Sequence, residues 1–438
     1  MHYFRMFGGA ARLVVHRGVL RQMTMLSWSE VSKRAGPMKP RRFEENPRLF
    51  GSDKEPKLVF WRDNSAWCPY CLRLWLILEA MEVSYVMKTI PLAAYLKKNE
   101  RKPAEFLNKV PSGVVPALEF LPDRTNAVEG VQHLIGVLEE KWPSKFPRPT
   151  QFPECYDAVV RDGGVRDAFE CARRAYETCA GAPARGYLGD PETYFEMTGL
   201  LGACRALNAV LERSGGPFVC GKSPTAADWQ IIPLLERAEV VPLYFWGTNF
   251  EVFKGLTDLL EAARSETFFQ FYASDATTLA RTNVRYAPQG FLPRDPVVAA
   301  TIDANPAWLQ SATPEAALIA AQRLAANHDA VAAFSIRTAQ INLSPEENLQ
   351  GAVDLALRAV ASALLRRSDQ QDFSSRDHQR QGLLDDLLRG VERKKKPAAK
   401  ALRALALSVG VPRDMDLDPA NALRAYANLA ADLLQDDL

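Results

Sequence analysis

The sequence predicts an α/β domain with a mixed four-stranded sheet, in the order βαβαββα, followed by an all-α domain and an α-helical extension. Three observations support this architecture. From Pro56 to Trp142, short apolar runs alternate with helical patterns, which is typical of a sheet covered by helices. Four prolines interrupt residues 143–153, and a helix does not cross such a segment because each proline lacks an amide donor. Residues 292–438 are rich in Ala and Leu and contain only four aromatic residues, as expected for closely packed helices.

The composition excludes several classes of protein. The chain has 438 residues, 47% of them hydrophobic and 24% charged, which predicts two or three globular domains. Its net charge of +2 gives no field that would attract nucleic acid. A membrane-spanning helix is not expected, because no apolar run reaches the required length. All seven cysteines lie between Cys68 and Cys220, without the regular spacing of a disulfide scaffold, so free thiols are expected.

Residues 1–42 differ in composition from the rest of the chain. They contain nine basic residues and one acidic residue, and the other 45 basic and 51 acidic residues leave a net charge of −6. A basic, acid-poor segment with scattered Ser and Thr is typical of an organelle transit peptide. We therefore expect a targeting or disordered segment that can be removed without loss of the fold. A basic tail on a cytoplasmic protein is the alternative.

The first predicted strand, Lys57–Trp61, is short and apolar. A helical pattern over Cys68–Met81 and a second strand over Val83–Thr89 follow it. Two strands joined by a helix predict a parallel pair with a crossover connection. Residues after Pro91 are predicted to be helical.

Two further strands, Val115–Phe120 and Ala127–Val128, flank a polar segment rich in turn residues. They are predicted to form a hairpin. A last helix from about Gly130 to Trp142 completes the first domain, residues 56–142.

A linker, residues 143–153, precedes the predicted all-α domain, residues 154–288. In that domain Thr225 and Asp228 have the spacing of a capping box, which predicts the start of a helix. Residues 289–438 are predicted to be a separate or appended α-helical extension. One helix face in this extension is apolar at three- and four-residue steps, and it comprises Leu349, Val353, Ala356, Val360, Ala363 and Leu364.

The clearest candidate for chemistry is the segment Cys68-Pro69-Tyr70-Cys71, at the predicted turn from the first strand into the first helix. A cysteine at a helix N-terminus has a lowered pKa, because the helix dipole and the free amides stabilise the thiolate. Cys68 has this position. Cys71 lies one turn further along the same side, close enough to form a disulfide with Cys68 and release a mixed-disulfide partner.

Two other interpretations of the pair are a zinc site and coincidental core cysteines. A structural zinc site needs four ligands, and the sequence offers no second paired-Cys or Cys/His cluster, so no metal is predicted. His133 is predicted to pack or to face solvent rather than to act as an acid or base. The remaining cysteines lie mostly in apolar helical contexts and are predicted to be buried and inert: Cys155, Cys171, Cys179, Cys204 and Cys220.

Pro116 begins a strand that is predicted to be internal to the sheet. Proline can begin a strand but is excluded from its centre. A cis peptide bond here would present the backbone of Val115 outward.

The cysteine pair, Val115-Pro116 and the order of elements together resemble the glutathione transferase superfamily over roughly residues 56–285. That resemblance implies a thioredoxin-like N-terminal domain and an all-helical second domain. The Cys-Pro-Tyr-Cys motif is similar to that of glutaredoxins and of the cysteine-type transferases, namely the omega and lambda classes and dehydroascorbate reductases. The long C-terminal tail resembles algal plastid transferase-like proteins, which favours a plastid over a mitochondrion.

The resemblance implies that Cys68 is catalytic, with Cys71 as its partner, and that glutathione is the co-substrate. It places the backbone of Val115, before Pro116, against the cysteinyl part of glutathione.

The resemblance also assigns Glu129 and Gly130 to the γ-glutamyl group of glutathione. Gly130 stands where the family has Ser, so it keeps the amide but loses a hydroxyl hydrogen bond worth about 0.5–1.5 kcal/mol. Lys102 is implied to face the glycine carboxylate of glutathione.

These features predict a glutathione-dependent thiol transferase or oxidoreductase in which Cys68 attacks glutathione mixed disulfides or dehydroascorbate. A glutathione-conjugating transferase is one alternative, and a non-catalytic binding or assembly protein that retains the fold is another. The predicted partners are glutathione and a small-molecule or protein disulfide, with no nucleic acid and no membrane span. A homodimer is left open.

Overall fold

The fold was obtained as a computed structural model of the whole chain. It describes residues 25–38, 40–91, 102–122, 127–180, 198–247, 250, 252–286, 296–303, 312–339, 349–369 and 395–436. Two hydrophobic cores are present among them. The first contains residues between Phe43 and Ala299, and the second contains residues between Ala312 and Leu434 together with Val31 and Ala35.

The first core surrounds a four-stranded sheet in the order β2-β1-β3-β4. Its strands are β1 (Leu58–Asp63), β2 (Tyr85–Ile90), β3 (Ala117–Phe120) and β4 (Ala127–Glu129). β1 pairs in parallel with β2 and antiparallel with β3, which pairs antiparallel with β4. Every residue of β1 is buried, as expected for a central strand covered on both faces.

Helices α2 (Pro69–Ala80), α3 (Ala104–Lys109) and α4 (Val131–Lys141) complete this domain. The observed order is therefore βαβαββα with one mixed sheet, which confirms the predicted fold. The predicted strand and helix limits differ from the observed ones by three residues or fewer. The helical pattern after Pro91 begins in residues 92–101, which lie outside the described part of the chain.

The linker residues between Trp142 and Phe152 contain no helix or strand, and α5 (Pro153–Val160) follows them. The helical domain continues with α6 (Val165–Ala180), α7 (Leu200–Ser214), α8 (Ala226–Trp246), α9 (Lys254–Ser265) and α10 (Ala276–Tyr286).

The start of α8 confirms the predicted capping box. Asp228 accepts a hydrogen bond from the backbone N–H of Thr225 at 2.7 Å and another from that of Val219 at 2.7 Å. Both residues of the box are buried, so the box fixes the beginning of the longest helix of this domain.

The predicted boundary at residues 288–289 is wrong. Helix α11 (Pro296–Asp303) packs on the first core through Ala299. Its last residue, Asp303, accepts hydrogen bonds from Tyr244 Oη at 3.0 Å and from Arg281 Nε at 2.8 Å. The all-α domain therefore extends at least to Asp303, because these side chains tie α11 to α8 and α10.

The second core is built by α12 (Pro314–Thr338), α13 (Leu349–Asp369), α14 (Lys395–Ala406) and α15 (Leu417–Asp436). Ala and Leu dominate it, as the composition predicts. The apolar face predicted from residue spacing is confirmed: Leu349, Val353, Ala356, Val360, Ala363 and Leu364 are all buried in this core.

Residues 25–38 and 40–42 do not form the disordered tail that their composition predicts. Helix α1 (Trp28–Ala35) buries Val31 and Ala35 in the second core. Trp28 Nε1 donates to Asp354 Oδ1 at 2.6 Å, and its ring stacks on His328. The basic residues of α1 lie on its exposed face, so the helix is amphipathic. The overall composition of the segment does not indicate this, because it does not record which face each residue occupies. Residues 1–24 lie outside the described part of the chain, and the targeting prediction stays a prediction.

We expect Val31→Asp to lower the midpoint of thermal unfolding, because it places an unpaired charge in the second core at a cost of about 3 kcal/mol or more. Ser32→Asp is the matched control, since Ser32 is exposed one residue further on. Differential scanning calorimetry of both variants in the full chain measures the effect. Equal midpoints for the two variants would show that α1 does not pack as described.

Among the helices in the described part of the chain, none is both long enough and apolar enough to span a membrane.

Candidate active site

Cys68 occupies the N-cap position of α2, immediately before Pro69 at the first helical position. Its backbone is extended and its side chain makes no capping hydrogen bond, so the sulfur is free to react beside the amides of the first turn. Cys68 is partly exposed, whereas Cys71 is 1% exposed. The predicted asymmetry between the two cysteines is therefore present in the structure.

The pKa values of the two thiols move in opposite directions. A hydrogen bond from Cys71 is the largest influence on Cys68 and lowers its pKa, against the opposing effect of burial. Burial raises the pKa of Cys71 well above its ordinary value, and the hydrogen bond to Cys68 adds to this. Cys68 is thus the more acidic thiol of the pair, and Cys71 is the thiol that donates a hydrogen bond to its sulfur.

Arg237 connects the helical domain to the thiol loop. It lies on α8 and donates hydrogen bonds to the carbonyl oxygens of Pro233, at 2.6 Å, and Trp67. Its positive charge also lowers the pKa of Cys68. Arg237 is 2% exposed, so the effect of its charge is weakly screened.

We expect Arg237→Gln to raise the pH at which Cys68 ionises, because a buried positive charge near the thiolate is removed. Thiolate absorbance in the ultraviolet, followed against pH, measures this value. Arg264→Gln is a matched control on the neighbouring α9, since Arg264 pairs with Glu239 instead of facing the thiols. An unchanged midpoint in Arg237→Gln, with the fold retained, would contradict this role.

Asp63 is a second charged residue beside the thiols that sequence reasoning missed. It ends β1 and is 1% exposed. Its carboxylate lies within 4.8 Å of both sulfur atoms, and its negative charge opposes ionisation of both thiols. The only sequence signal was an acidic residue at the end of an apolar strand.

The five residues that the resemblance assigns to glutathione lie near one edge of the sheet. The Val115–Pro116 peptide bond is cis, and β3 begins directly after it. Ala117 pairs with Trp61 near the end of β1 and with Glu129 at the end of β4. The register therefore brings Val115, Pro116, Glu129 and Gly130 to the edge at which β1 leads into Cys68.

Gly130 is the N-cap of α4 and has φ +87°. An L side chain rarely adopts this conformation, which gives a physical reason for Gly where the family has Ser. Glu129 accepts a hydrogen bond from Ser112 Oγ.

Lys102 donates a hydrogen bond from Nζ to the carbonyl oxygen of Gly113 at 2.7 Å. It thus lies against the loop that precedes the cis peptide bond. The roles of all five residues toward glutathione stay predictions.

Tyr70, between the two cysteines, is supported by the helical domain. Arg173 Nη2 on α6 donates to Tyr70 Oη at 2.9 Å. The guanidinium of Arg73 lies 5.2 Å from the centre of the Tyr70 ring. These contacts hold the Tyr70 ring between α2 and α6.

The other cysteines divide into two groups. Cys155, Cys204 and Cys220 are buried, as predicted, and burial raises the pKa of each. Cys171 is exposed, which corrects the prediction for that residue. The side chain of Cys179 lies outside the described residues. His133 is exposed, in agreement with one of its two predicted placements.

Part of this chain is similar in sequence to known proteins. Residues 67–141 match the model of the glutathione S-transferase N-terminal domain. Glutathione S-transferase DHAR2 from Arabidopsis thaliana is 27% identical over 203 residues, which are 45% of this chain and 78% of that protein.

Solved structures were found to be similar over about half of this chain. Dehydroascorbate reductase from Chlamydomonas reinhardtii is 20% identical, covers 52% of this chain and 98% of its own, and has a TM-score of 0.42. Glutathione transferase Omega 3C from Trametes versicolor is 20% identical, covers 50% of this chain and 90% of its own, and has a TM-score of 0.37.

The family match begins at the residue before Cys68 and ends at the last residue of α4. It therefore spans the cysteine pair, the cis peptide bond and the Glu129-Gly130 turn. Together with the observed sheet order, this match identifies residues 67–141 as a glutathione S-transferase N-terminal domain, and the Arabidopsis relative supports a relationship of this chain to the glutathione transferase superfamily.

Proposed function

We propose that this protein is a glutathione-dependent thiol transferase that uses Cys68 as its nucleophile. The observation that carries the proposal is the position of Cys68, partly exposed at the N-terminus of α2, with its pKa lowered by Cys71 and Arg237. A thiolate at ambient pH is the species that attacks a disulfide sulfur.

The reaction on a glutathione mixed disulfide has two exchange steps. The Cys68 thiolate attacks the glutathionyl sulfur, and the former partner of that sulfur leaves as a thiolate. A second glutathione, as its thiolate, then attacks the glutathionyl sulfur on Cys68, which releases oxidised glutathione and restores the Cys68 thiolate. Only one protein thiol is needed for this cycle.

Residues at the sheet edge are proposed to bind the glutathione that takes part in these steps. Val115 would pair through its backbone with the cysteinyl unit, since neither its N–H nor its C=O bonds to another described residue. The amide of Gly130 and the carboxylate of Glu129 would bind the γ-glutamyl group, and Lys102 the glycine carboxylate. The Arabidopsis relative is named a glutathione S-transferase, which supports glutathione as the co-substrate.

A glutathione-linked turnover assay of the full chain tests the proposal. It compares hydroxyethyl disulfide, dehydroascorbate and a chlorinated aromatic electrophile. We expect turnover of the first two substrates and little of the third, because a cysteine at this position forms mixed disulfides with glutathione.

Turnover of the aromatic electrophile alone would instead indicate a conjugating transferase. Binding of glutathione without turnover of any of the three would indicate a binding or assembly protein that retains the fold. Either result would overturn the proposed function.

We also propose that the basic N-terminal segment directs the protein to an organelle, with a plastid favoured over a mitochondrion. The charge asymmetry of residues 1–42 supports this. Fusing residues 1–24 to a fluorescent reporter tests it, since this fusion omits α1. A reporter that stays in the cytoplasm would contradict the proposal.

A further inference from the structure

The two carboxylate oxygens of Asp63 differ in their hydrogen bonds among the described residues. Oδ2 accepts hydrogen bonds from the backbone N–H groups of Ser65, at 3.1 Å, and Trp67, at 2.9 Å. Oδ1 is buried and has no hydrogen-bond partner among the described residues. Burial of a polar atom without a partner is unfavourable and uncommon, so this oxygen is a candidate for a functional role.

The charged groups around Asp63 and the two thiols come from β1 and α8. Neither carboxylate oxygen of Asp63 accepts a hydrogen bond from Lys or Arg among the described residues, although its charge interacts with that of Arg62. The nearby Arg62 donates instead to the backbone carbonyl of Asp63 and to Met87 Sδ. The groups that face the thiols are therefore Asp63 and Arg62 from β1 and Arg237 from α8.

Cys71 needs a proton acceptor if it is to react. Its sulfur can attack a disulfide on Cys68 only as a thiolate. Cys71 is 1% exposed, so bulk water and hydroxide have little access to its proton. Both sulfur atoms and a carboxylate oxygen of Asp63 lie within 4.8 Å of one another.

We propose that Asp63 is the general base that accepts the proton of Cys71 when Cys71 resolves a mixed disulfide on Cys68. This inference rests on the proposed thiol exchange and adds a second route to it. In that route the enzyme itself releases the bound thiol, without a second glutathione.

Resolution by Cys71 transfers one proton and replaces one S–S bond by another. The proton of Cys71 moves to the Asp63 carboxylate, and the Cys71 thiolate attacks Cys68 Sγ. The bond between Cys68 Sγ and the sulfur of the bound partner breaks as the Cys68–Cys71 disulfide forms. Cys71 is oxidised, the partner sulfur is reduced and leaves as a thiolate, and Asp63 can return the proton to it.

The charge of Asp63 has opposite consequences for the two cysteines. As a base, it favours the reaction of Cys71. As a nearby negative charge, it disfavours the thiolate of Cys68. Loss of this charge should therefore slow the attack by Cys71 and lower the pH at which Cys68 ionises. A general structural disturbance would not produce this combination.

The test follows the two sulfur reactions separately in the full chain, with Cys171 and Cys179 replaced by Ser. An aromatic disulfide, 5,5′-dithiobis(2-nitrobenzoic acid), is mixed with the reduced protein, and release of its coloured thiolate is recorded by stopped flow. The first phase reports attack by Cys68, and the second reports attack by Cys71 on the resulting mixed disulfide. Cys71→Ser identifies the second phase, because this variant lacks the attacking thiol and should show only the first phase.

In the parent protein we expect a second-phase rate that varies by less than about threefold between about pH 6 and pH 8. In Asp63→Asn the rate should fall at least about tenfold near pH 7 and should rise about tenfold per pH unit. The first phase of Asp63→Asn should reach its half-maximal rate at a lower pH than in the parent. Asn retains an oxygen for the N–H groups of Ser65 and Trp67, so the loop geometry is preserved.

An Asp63→Asn second phase with the rate and pH profile of the parent would overturn the inference. If that variant does not fold, the parent protein decides the question, since a second phase that rises about tenfold per pH unit without a plateau excludes a local base. Oxidised glutathione, used in place of the aromatic disulfide, separates this inference from the proposed function. No glutathionylation of Cys68, with both aromatic phases normal, would overturn the proposed function and leave the role of Asp63 standing.

Discussion

Cys68→Ser is expected to reduce glutathione-linked turnover of both hydroxyethyl disulfide and dehydroascorbate to the uncatalysed background, a loss of at least about a thousandfold. The hydroxyl of Ser does not form a mixed disulfide, so the first exchange step is lost entirely. The side chain is nearly the same size, and Cys68 makes no capping hydrogen bond that the fold requires. Turnover by Cys68→Ser at the parent rate would show that Cys68 is not the nucleophile.

Cys71→Ser is the matched variant one helical turn away. We expect it to keep at least about half of the activity on glutathione mixed disulfides, since glutathione itself can resolve the intermediate. Reduction of protein disulfides should fall sharply, because it uses both thiols. The two activities are measured with the same preparations. Equal loss of both activities in Cys71→Ser would contradict the division of roles.

The fold of residues 56–142 could be predicted because its signals are local. Strands such as β1 are short apolar runs, and Pro116 can only begin a strand at its place in the sheet. The Cys68 site could be predicted for the same reason, since a helix N-terminus after a buried strand fixes the electrostatics of the first residue.

Asp63 and Arg237 could not be identified from the sequence, because no known motif spacing connects either residue with the cysteine pair. Arg237 lies 169 positions after Cys68 in the printed sequence and reaches the thiol loop only through the packing of α8 on α2. Asp63 is close in sequence, but its orientation toward the sulfur atoms depends on the turn that its own Oδ2 organises. Tertiary contact, rather than pattern, places both charges.

The N-terminal segment shows how composition can mislead. Nine basic residues in 1–42 suggest a solvated segment, yet Val31 and Ala35 are four positions apart and make one apolar face. Arg41 is buried as well, and its guanidinium donates to the carbonyl oxygen of Pro412 at 2.8 Å. These contacts link the two ends of the chain, which no local pattern could predict.

Glu236, next to Arg237 on α8, is a buried carboxylate without a hydrogen-bond partner for either oxygen among the described residues. The neighbouring cations are engaged elsewhere. Arg237 donates to Pro233 and Trp67, and Arg264 pairs with Glu239. Burial therefore dominates and raises the pKa of Glu236 from 4.5 to about 7, although Arg264 and Arg237 act in the opposite direction.

A raised pKa in the folded state means that folding favours the protonated carboxyl. The stabilisation from neutral Glu236 is complete below the unfolded pKa of 4.5 and is lost as the pH rises through about 7. The interval between these two pKa values corresponds to about 3 kcal/mol. The folded protein should thus be less stable at pH 8 than at pH 5 by up to that amount from this residue.

Glu236→Gln is expected to raise the midpoint of thermal unfolding at pH 8 and to leave it nearly unchanged at pH 5, because Gln cannot ionise and resembles the protonated acid in shape. The gain at pH 8 should reach about 3 kcal/mol at most. Glu239→Gln is the matched control, and loss of its partly exposed pair with Arg264 should cost less than about 1 kcal/mol. Calorimetry of both variants at the two pH values provides the measurement. A lower midpoint for Glu236→Gln than for the parent at pH 8 would show that the fold stabilises the ionised carboxylate and that burial does not favour the protonated form.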